Sequence, residues 1–239
     1  MTLALQSLTP FARGGNRLCF VHPQDPNRCV KVRRPDFSLE DRRRKKGFPK
    51  TLLPLSHFDD NLEEAGVMSK LERSFGEPVF KHISRCYGFE ETDMGKGLVS
   101  ELIRDASGRI SETLKKYIWD NGVTPDCERA IAAFSEHWLR LMVPSRDLLL
   151  HNLVVQRSAD GAIERLVVID GLGASGMLPF EWMPQGLRRS KVQRKLDNLQ
   201  ERIQKLLSQR GADTFPGYHG LLIHDGSADA TSATPENRS

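Results

Sequence analysis

In the first third of the chain, short apolar stretches alternate with turn-forming residues. Leu18-Cys19-Phe20-Val21 and Cys29-Val30-Lys31-Val32 read as strands, because β-branched and aromatic side chains pack well on a pleated surface. Between them, His22-Pro23-Gln24-Asp25-Pro26-Asn27 is rich in Pro, Asp and Asn, which predicts a turn and makes the pair a hairpin. Residues 33–58 are polar, basic and interrupted by proline, and read as an irregular insertion. The period then changes. Leu62, Ala65, Met68 and Leu71 recur at helical spacing, and Asp59, Asp60 and Asn61 are candidate N-caps. Residues 83–89 and 97–103 predict two more strands around a polar turn at 90–96.

The second half is mostly helical. Residues 113–119 and 126–142 predict helices, the second entered through Thr124-Pro125 and closed by Pro144. Proline is tolerated early in a helix because its missing N–H would be unpaired there in any case. Residues 153–157 and 163–169 are β-rich and flank Ala159-Asp160-Gly161, a strong hairpin signal. A last helix spans 187–208, and residues 223–239 are small and polar and expected to be disordered. Strands first, helices next and one late hairpin give the α+β class.

Length and composition narrow the class without defining it. The 239 residues suffice for one large or two-lobed domain, and 38% hydrophobic with 28% charged residues is ordinary for a globular chain. No apolar run approaches the length of a membrane span, and no basic stretch precedes an apolar run at the N-terminus, so a secretory signal is not expected. Cys19, Cys29, Cys86 and Cys127 are widely spaced with no C-x-x-C, which suggests neither zinc nor a disulfide framework; a cytoplasmic location is expected. Of the net charge of +4, part is local: Arg42-Arg43-Arg44-Lys45-Lys46 is a run of cations. Such a run can meet nucleic acid or anionic lipid. Without interleaved aromatics a solvated loop is the plainer reading, and nucleic acid is not the expected partner.

Chemistry enters with Ser145-Arg146-Asp147-Leu148-Leu149-Leu150-His151-Asn152. An Asp followed five residues on by an Asn has the spacing of a protein-kinase catalytic loop. There the Asp takes or orients the proton of the attacking hydroxyl, and the Asn offers its carbonyl oxygen to magnesium. The spacing alone is common. What strengthens it is the hairpin, which returns its far end to its start and so brings Asp170 beside Asn152. Asn152 and Asp170 are thereby candidate ligands for Mg²⁺, and Asp147 is the candidate catalytic base.

The N-terminal half supplies matching parts. Gly14-Gly15 lies in a turn ahead of a strand, and Lys31 sits on the next strand. Backbone N–H groups freed by glycine can approach phosphates, and the Lys31 ammonium can pair with their oxygens. Glu63 or Glu64 on the following helix can hold that lysine; Glu64 is preferred because it leaves Leu62, Ala65 and Met68 to pack. Backbone groups near Glu101 and Ile103 would hold the adenine of ATP. One rival motif, Gly171-Leu172-Gly173-Ala174-Ser175-Gly176, matches the dinucleotide fingerprint. That fingerprint opens a helix, whereas Pro179 and Pro184 follow here, so the glycines read as a turn.

The run His22-Pro23-Gln24-Asp25-Pro26-Asn27-Arg28-Cys29-Val30-Lys31-Val32 resembles the PhoP regulatory network protein YrbL family, and the likeness extends through Asp170 to Leu178-Pro179. The resemblance implies a compact bilobal protein-kinase-like fold and an ATP site. The expected lobes are an N-terminal antiparallel sheet with one helix (residues 1–103) and a reduced helical C-lobe containing a β-hairpin (104–222). Departures from ordinary kinases are visible: Ala12 and Arg17 replace two glycines of the glycine-rich loop, Ser145 replaces a histidine, and Gly171 follows Asp170. The expected function is an ATP- and Mg²⁺-dependent phosphotransferase whose acceptor is left open among a small molecule, a glycan and a protein. The alternative is a kinase-like pseudoenzyme acting as a regulatory or nucleotide-binding module in bacterial stress or envelope signalling.

Overall fold

A computed structural model describes residues 1–173 and 180–227. Five antiparallel strands form the N-terminal sheet: β1 (Ala12–Arg13), β2 (Arg17–His22), β3 (Asp25–Arg33), β4 (Cys86–Thr92) and β5 (Gly95–Glu101), in the order β1-β2-β3-β5-β4. Lys31 faces Cys19 on one side and Leu98 on the other, which places it on the central strand. The first hairpin is tighter than its composition predicts, since His22 already pairs with Asp25. β4 starts later than predicted because residues 82–84 run beside the late hairpin instead. Val168 N–H donates to His82 O at 2.9 Å, and Ser84 N–H donates to Val168 O at 3.1 Å.

The expected irregular insertion contains a helix, α1 (Leu39–Lys46), which includes the basic run. Ser38 Oγ caps it by accepting from Asp41 N–H at 3.3 Å, and Arg42 ties it to Asp60 at 2.5 Å. These polar contacts, rather than an apolar face, account for a helix that hydrophobic periodicity does not register. Residues 50–52 and 55–58 form only short 3₁₀ turns. α2 (Asp60–Phe75) is capped by the Asp59 carboxylate, which accepts from Asn61 N–H at 2.9 Å. Its buried face is Asn61, Met68 and Leu71; Leu62, expected to pack, is 44% exposed.

The C-terminal lobe holds α3 (Leu114–Asn121), α4 (Pro125–Leu141), the hairpin β6 (Leu153–Arg157) and β7 (Ile163–Val168), and α5 (Gln185–Gln209). Thr124 caps α4 with Pro125 in its first turn, as the sequence predicts. Ile118, Phe134, Trp138, Leu153, Leu166 and Leu199 form its core, each fully buried, and Met68 and Leu71 of α2 join them. Each such side chain contributes about 1.5–3 kcal/mol on burial, so α2 is anchored to the C-terminal lobe as well as to the sheet. A separate cluster of Leu3, Leu5, Phe20, Val30, Val32 and Val99 stabilises the sheet. Two cores with a cleft between them make the fold bilobal.

After α5 the chain crosses back over that cleft. Thr113 Oγ1 donates to Gly220 O at 2.8 Å, Ile223 N–H to Phe11 O at 2.7 Å, and Ile110 N–H to Asp225 O at 2.8 Å. Residues 223–227 are therefore tied down by backbone hydrogen bonds where disorder was expected, next to Leu222, which enters an apolar cluster with Phe11, Cys29, Leu102 and Ile110. Residues 228–239 of the expected tail lie outside the described residues. Among the described residues no helix is long and apolar enough to cross a membrane.

Candidate active site

Lys31 is buried on the central strand, where an unpaired ammonium would be costly. Its Nζ lies 2.6 Å from Glu64 Oε1 and donates to Ile169 O at 2.9 Å. Burial alone would lower its pKa; the Glu64 carboxylate reverses this, and the group is held above its ordinary value. Glu64 has a second cation, Arg17 Nη1 at 2.5 Å. Asn61 completes the layer: its Nδ2 donates to Lys31 O at 2.8 Å and its Oδ1 accepts from Arg17 Nη1 at 3.1 Å.

Asp170 arrives from the other lobe. In the β6–β7 hairpin Leu153 pairs with Val168, Ile169 N–H donates to Asn152 O at 2.9 Å, and Gly161 takes φ +84° in the turn. The hairpin thus brings Asp170 beside Asn152. Asp170 Oδ2 accepts from Arg17 Nη2 at 2.6 Å, and Oδ1 from Gly171 N–H at 2.6 Å. Partial burial would raise its pKa, but Arg17, then Lys31 and the Gly171 N–H, hold the carboxyl below the usual range.

Gly171 is where Asp147, Asn152 and Asp170 meet. It has φ +81°, and a Cβ there would lie 2.8 Å from Asp147 O and 2.9 Å from Asn152 Nδ2. Only glycine accepts both the backbone angle and the close approach. Its carbonyl accepts from Arg146 N–H at 3.0 Å and, weakly, from Asp147 N–H at 3.4 Å. Asp147, Asn152 and Asp170 are accordingly gathered around one residue. Asp147 is itself engaged: Arg202 Nη2, from α5, lies 2.9 Å from each of its oxygens, with hydrogen-bond geometry only to Oδ2. Arg146 spans the lobes to Glu63 at 3.0 Å.

Two adjoining cavities open on this layer. A polar one of about 330 Å³ is lined by Gly14, Gly15, Arg17, Glu64, Arg146 and Asp170. A more apolar one of about 160 Å³ is lined by Phe11, Cys29, Ile103, Val154, Ile169 and Leu222, among others. Gly14, Arg17, Ile169 and Asp170 border both. Glu101 and Leu102 also line the second, but their N–H groups already donate to Arg85 O and Asn27 O at 2.8 Å each. Of the backbone expected to meet adenine, that leaves the Ile103 N–H outside any backbone pairing among the described residues. At the cavity edge His151 stacks on His219 at 5.2 Å; burial, then His219 and Lys115, push the His151 imidazole down to about 4.

Sequence reasoning missed Arg17, Asn61 and Arg202. Arg17 left a signal, a long cation where the glycine-rich loop needs a small residue. Asn61 reads in the sequence as a cap, because polarity suggests exposure. Arg202 sits 55 residues from Asp147, and nothing local marks it. The glycine run is a turn as far as it is described: Gly173 has φ +95° and a Cβ would meet Val67 at 2.9 Å. Gly176, Leu178 and Pro179 lie outside the described residues.

Comparison with known proteins adds the following. The protein named "Uncharacterized protein YrbL" of Escherichia coli (strain K12) is 24% identical over 183 residues, covering 74% of this chain and 77% of that one. Its namesake from Shigella flexneri matches equally. Among solved structures, Rad53 (residues 1–466, in complex with AMP-PNP) aligns over 93% of this chain and 50% of its own, with 14% identity and a TM-score of 0.42. This chain spans half the length of that one, and the likeness is too slight to carry an argument. The family model for the PhoP regulatory network protein YrbL matches residues 3–204, and the chain belongs to that family.

Proposed function

We propose that this chain is an ATP- and magnesium-dependent phosphotransferase that carries a phosphoryl group to a hydroxyl acceptor. One observation carries the reading: the buried Lys31–Glu64 pair at 2.6 Å, with Lys31 also bonded to Ile169 O next to Asp170. An ammonium fixed in this way is ordered before any ligand arrives, so little is lost in positioning it against phosphate oxygens. The apolar cavity suits a flat base and the polar one a phosphate chain, with Gly14 on the path between them.

The donor set suits magnesium. Asn152 and Asp170 offer oxygens, and the Asn152 amide, packed at the Gly171 Cα, brings the two together. Among the described residues no cluster of three His, Cys, Asp or Glu could hold an ion without other ligands. Nucleotide oxygens and water would therefore complete the shell, which is the usual manner for Mg²⁺. Bound there, magnesium would offset the charge of the β- and γ-phosphates. Lys31 would hold phosphate oxygens. Asp147 would share its carboxylate between Arg202 and the acceptor hydroxyl. It takes the hydroxyl proton as that oxygen bonds to the γ-phosphorus and the bond to the β–γ bridging oxygen breaks, releasing ADP.

Incubating the protein with γ-labelled ATP and a cell extract, then separating small molecules, lipids and proteins, tests this reading. Label should enter one fraction with the wild type and vanish with Asp147→Ala. Equal labelling by that variant would sink the assignment. A second reading has its own support: Asp147 is held by Arg202 and Asp170 by Arg17, as in a nucleotide-binding module that does not turn over. Nucleotide binding without label transfer to any fraction favours it.

A further inference from the structure

Arg17 is the residue the glycine-rich loop should not contain, and it occupies the centre of the site. Its guanidinium is largely buried, the side chain 12% exposed, and bridges Glu64 at 2.5 Å and Asp170 at 2.6 Å, with Asn61 at 3.1 Å. It borders both cavities, at the point where a base in one would pass its phosphates to the other. A guanidinium has five N–H donors in a planar fork. Three are used by Glu64, Asn61 and Asp170, leaving the Nε–H and one Nη2–H without a partner among the described residues.

Charge points the same way. Lys31, Arg17, Glu64 and Asp170 sum to zero, whereas without Arg17 the three that remain would carry a net negative charge that opposes a polyphosphate. Divalent ions ordinarily correct such an imbalance. Here a positive side chain already stands on Asp170 Oδ2, and arginine suits phosphate because two parallel N–H bonds match its oxygens.

We propose that Arg17 is a resident cation of the nucleotide site, holding the polyphosphate directly and letting the chain bind a nucleoside triphosphate in the absence of divalent metal. The proposal rests on the phosphotransferase reading for the location of the nucleotide and concerns binding, not transfer. When phosphates arrive, the unused Arg17 donors take their oxygens while Nη1 stays on Glu64. Transfer retains its need for magnesium at Asn152 and Asp170, with Arg17 yielding one Asp170 oxygen to the ion.

Binding of a fluorescent ATP analogue, measured in EDTA and in MgCl₂, tests the proposal. Wild-type affinity should differ between the two conditions by less than about tenfold. Arg17→Ala should bind in MgCl₂ yet lose at least about tenfold more than the wild type in EDTA, with Arg17→Lys intermediate because it keeps the charge but not the fork. Wild-type binding that requires magnesium overturns the proposal and leaves the phosphotransferase reading standing. So does an Arg17→Ala variant that loses equally in both conditions. Failure to bind the analogue in either condition overturns both. The wild-type comparison alone decides the matter if the variants do not fold.

Discussion

The two sides of the cleft are built differently. On the proposed nucleotide side Lys31, Arg17, Glu64, Asn61 and Asp170 are linked in one layer by contacts of 2.5–3.1 Å. On the proposed acceptor side Ser145 Oγ, Asp147 Oδ1 and Arg202 Nη1 are buried without a hydrogen bond among the described residues, and Asp147 N–H reaches Gly171 O only at 3.4 Å. The first side is ordered by folding itself. The second is held by the Arg202–Asp147 and Arg146–Glu63 ion pairs and by a single glycine. Stability and chemistry should therefore separate: damage on the nucleotide side should unfold the protein, and damage on the acceptor side should slow it.

The largest expected effect is that of Glu64→Ala, which leaves Lys31 and Arg17 buried with too little negative charge. Breaking a buried pair from one side costs about 3–5 kcal/mol, readable as a lower urea midpoint. Asp147→Ala removes a partly exposed pair and should cost about 1 kcal/mol or less in the same experiment. Its effect belongs to turnover, with transfer falling roughly 10²- to 10⁴-fold, as for loss of a general base. Equal destabilisation by the two variants would erase the contrast.

Gly171→Ala tests the joint between the sides. The side chain must adopt φ +81° and displace Asp147 O and Asn152 Nδ2, so about 1–3 kcal/mol of stability should be lost together with transfer. A variant that keeps full transfer would show that Gly171 does not set the geometry of Asp147 and Asn152.

A further effect is a pH dependence away from both sides. His82 is buried in the C-terminal core, its Nδ1 donating to Leu166 O at 2.8 Å, and burial, with His137 and Lys81 nearby, pushes it down from 6.5 to about 4. Between those values the unfolded chain binds the proton and the folded one does not. The contribution is thus complete above about pH 6.5 and lost as pH falls toward 4. His151 behaves alike. Urea midpoints should fall over that window, and less steeply in His82→Gln; an unchanged slope would remove His82 from the account.

Legibility in the sequence followed the range of the interactions. The β6–β7 hairpin was readable because Asp160-Gly161 and the flanking branched residues are all local, and it carried Asp170 to Asn152. The Lys31–Glu64 pair was readable because strand and helix follow in order. The two-residue β1 is too short for periodicity to register. On α2 the apolar spacing finds the buried Met68 and Leu71 but points to Leu62 in the first turn, where Asn61 is buried instead because two hydrogen bonds hold it. α1 has no apolar face at all, and its Ser38 cap and Arg42–Asp60 pair are invisible to a hydrophobic pattern. Arg202 and the Leu222 contact depend on chain return over long separations.

Isothermal titration of the wild type and of Lys31→Ala with Mg²⁺-ATP tests the central claim, that Lys31 anchors nucleotide in the cleft, most directly. The expected result is saturable one-to-one binding by the wild type and at least about tenfold weaker binding by Lys31→Ala, in line with loss of a charge-assisted contact. Absence of binding by the wild type at millimolar ATP, or equal affinity in both proteins, would contradict it.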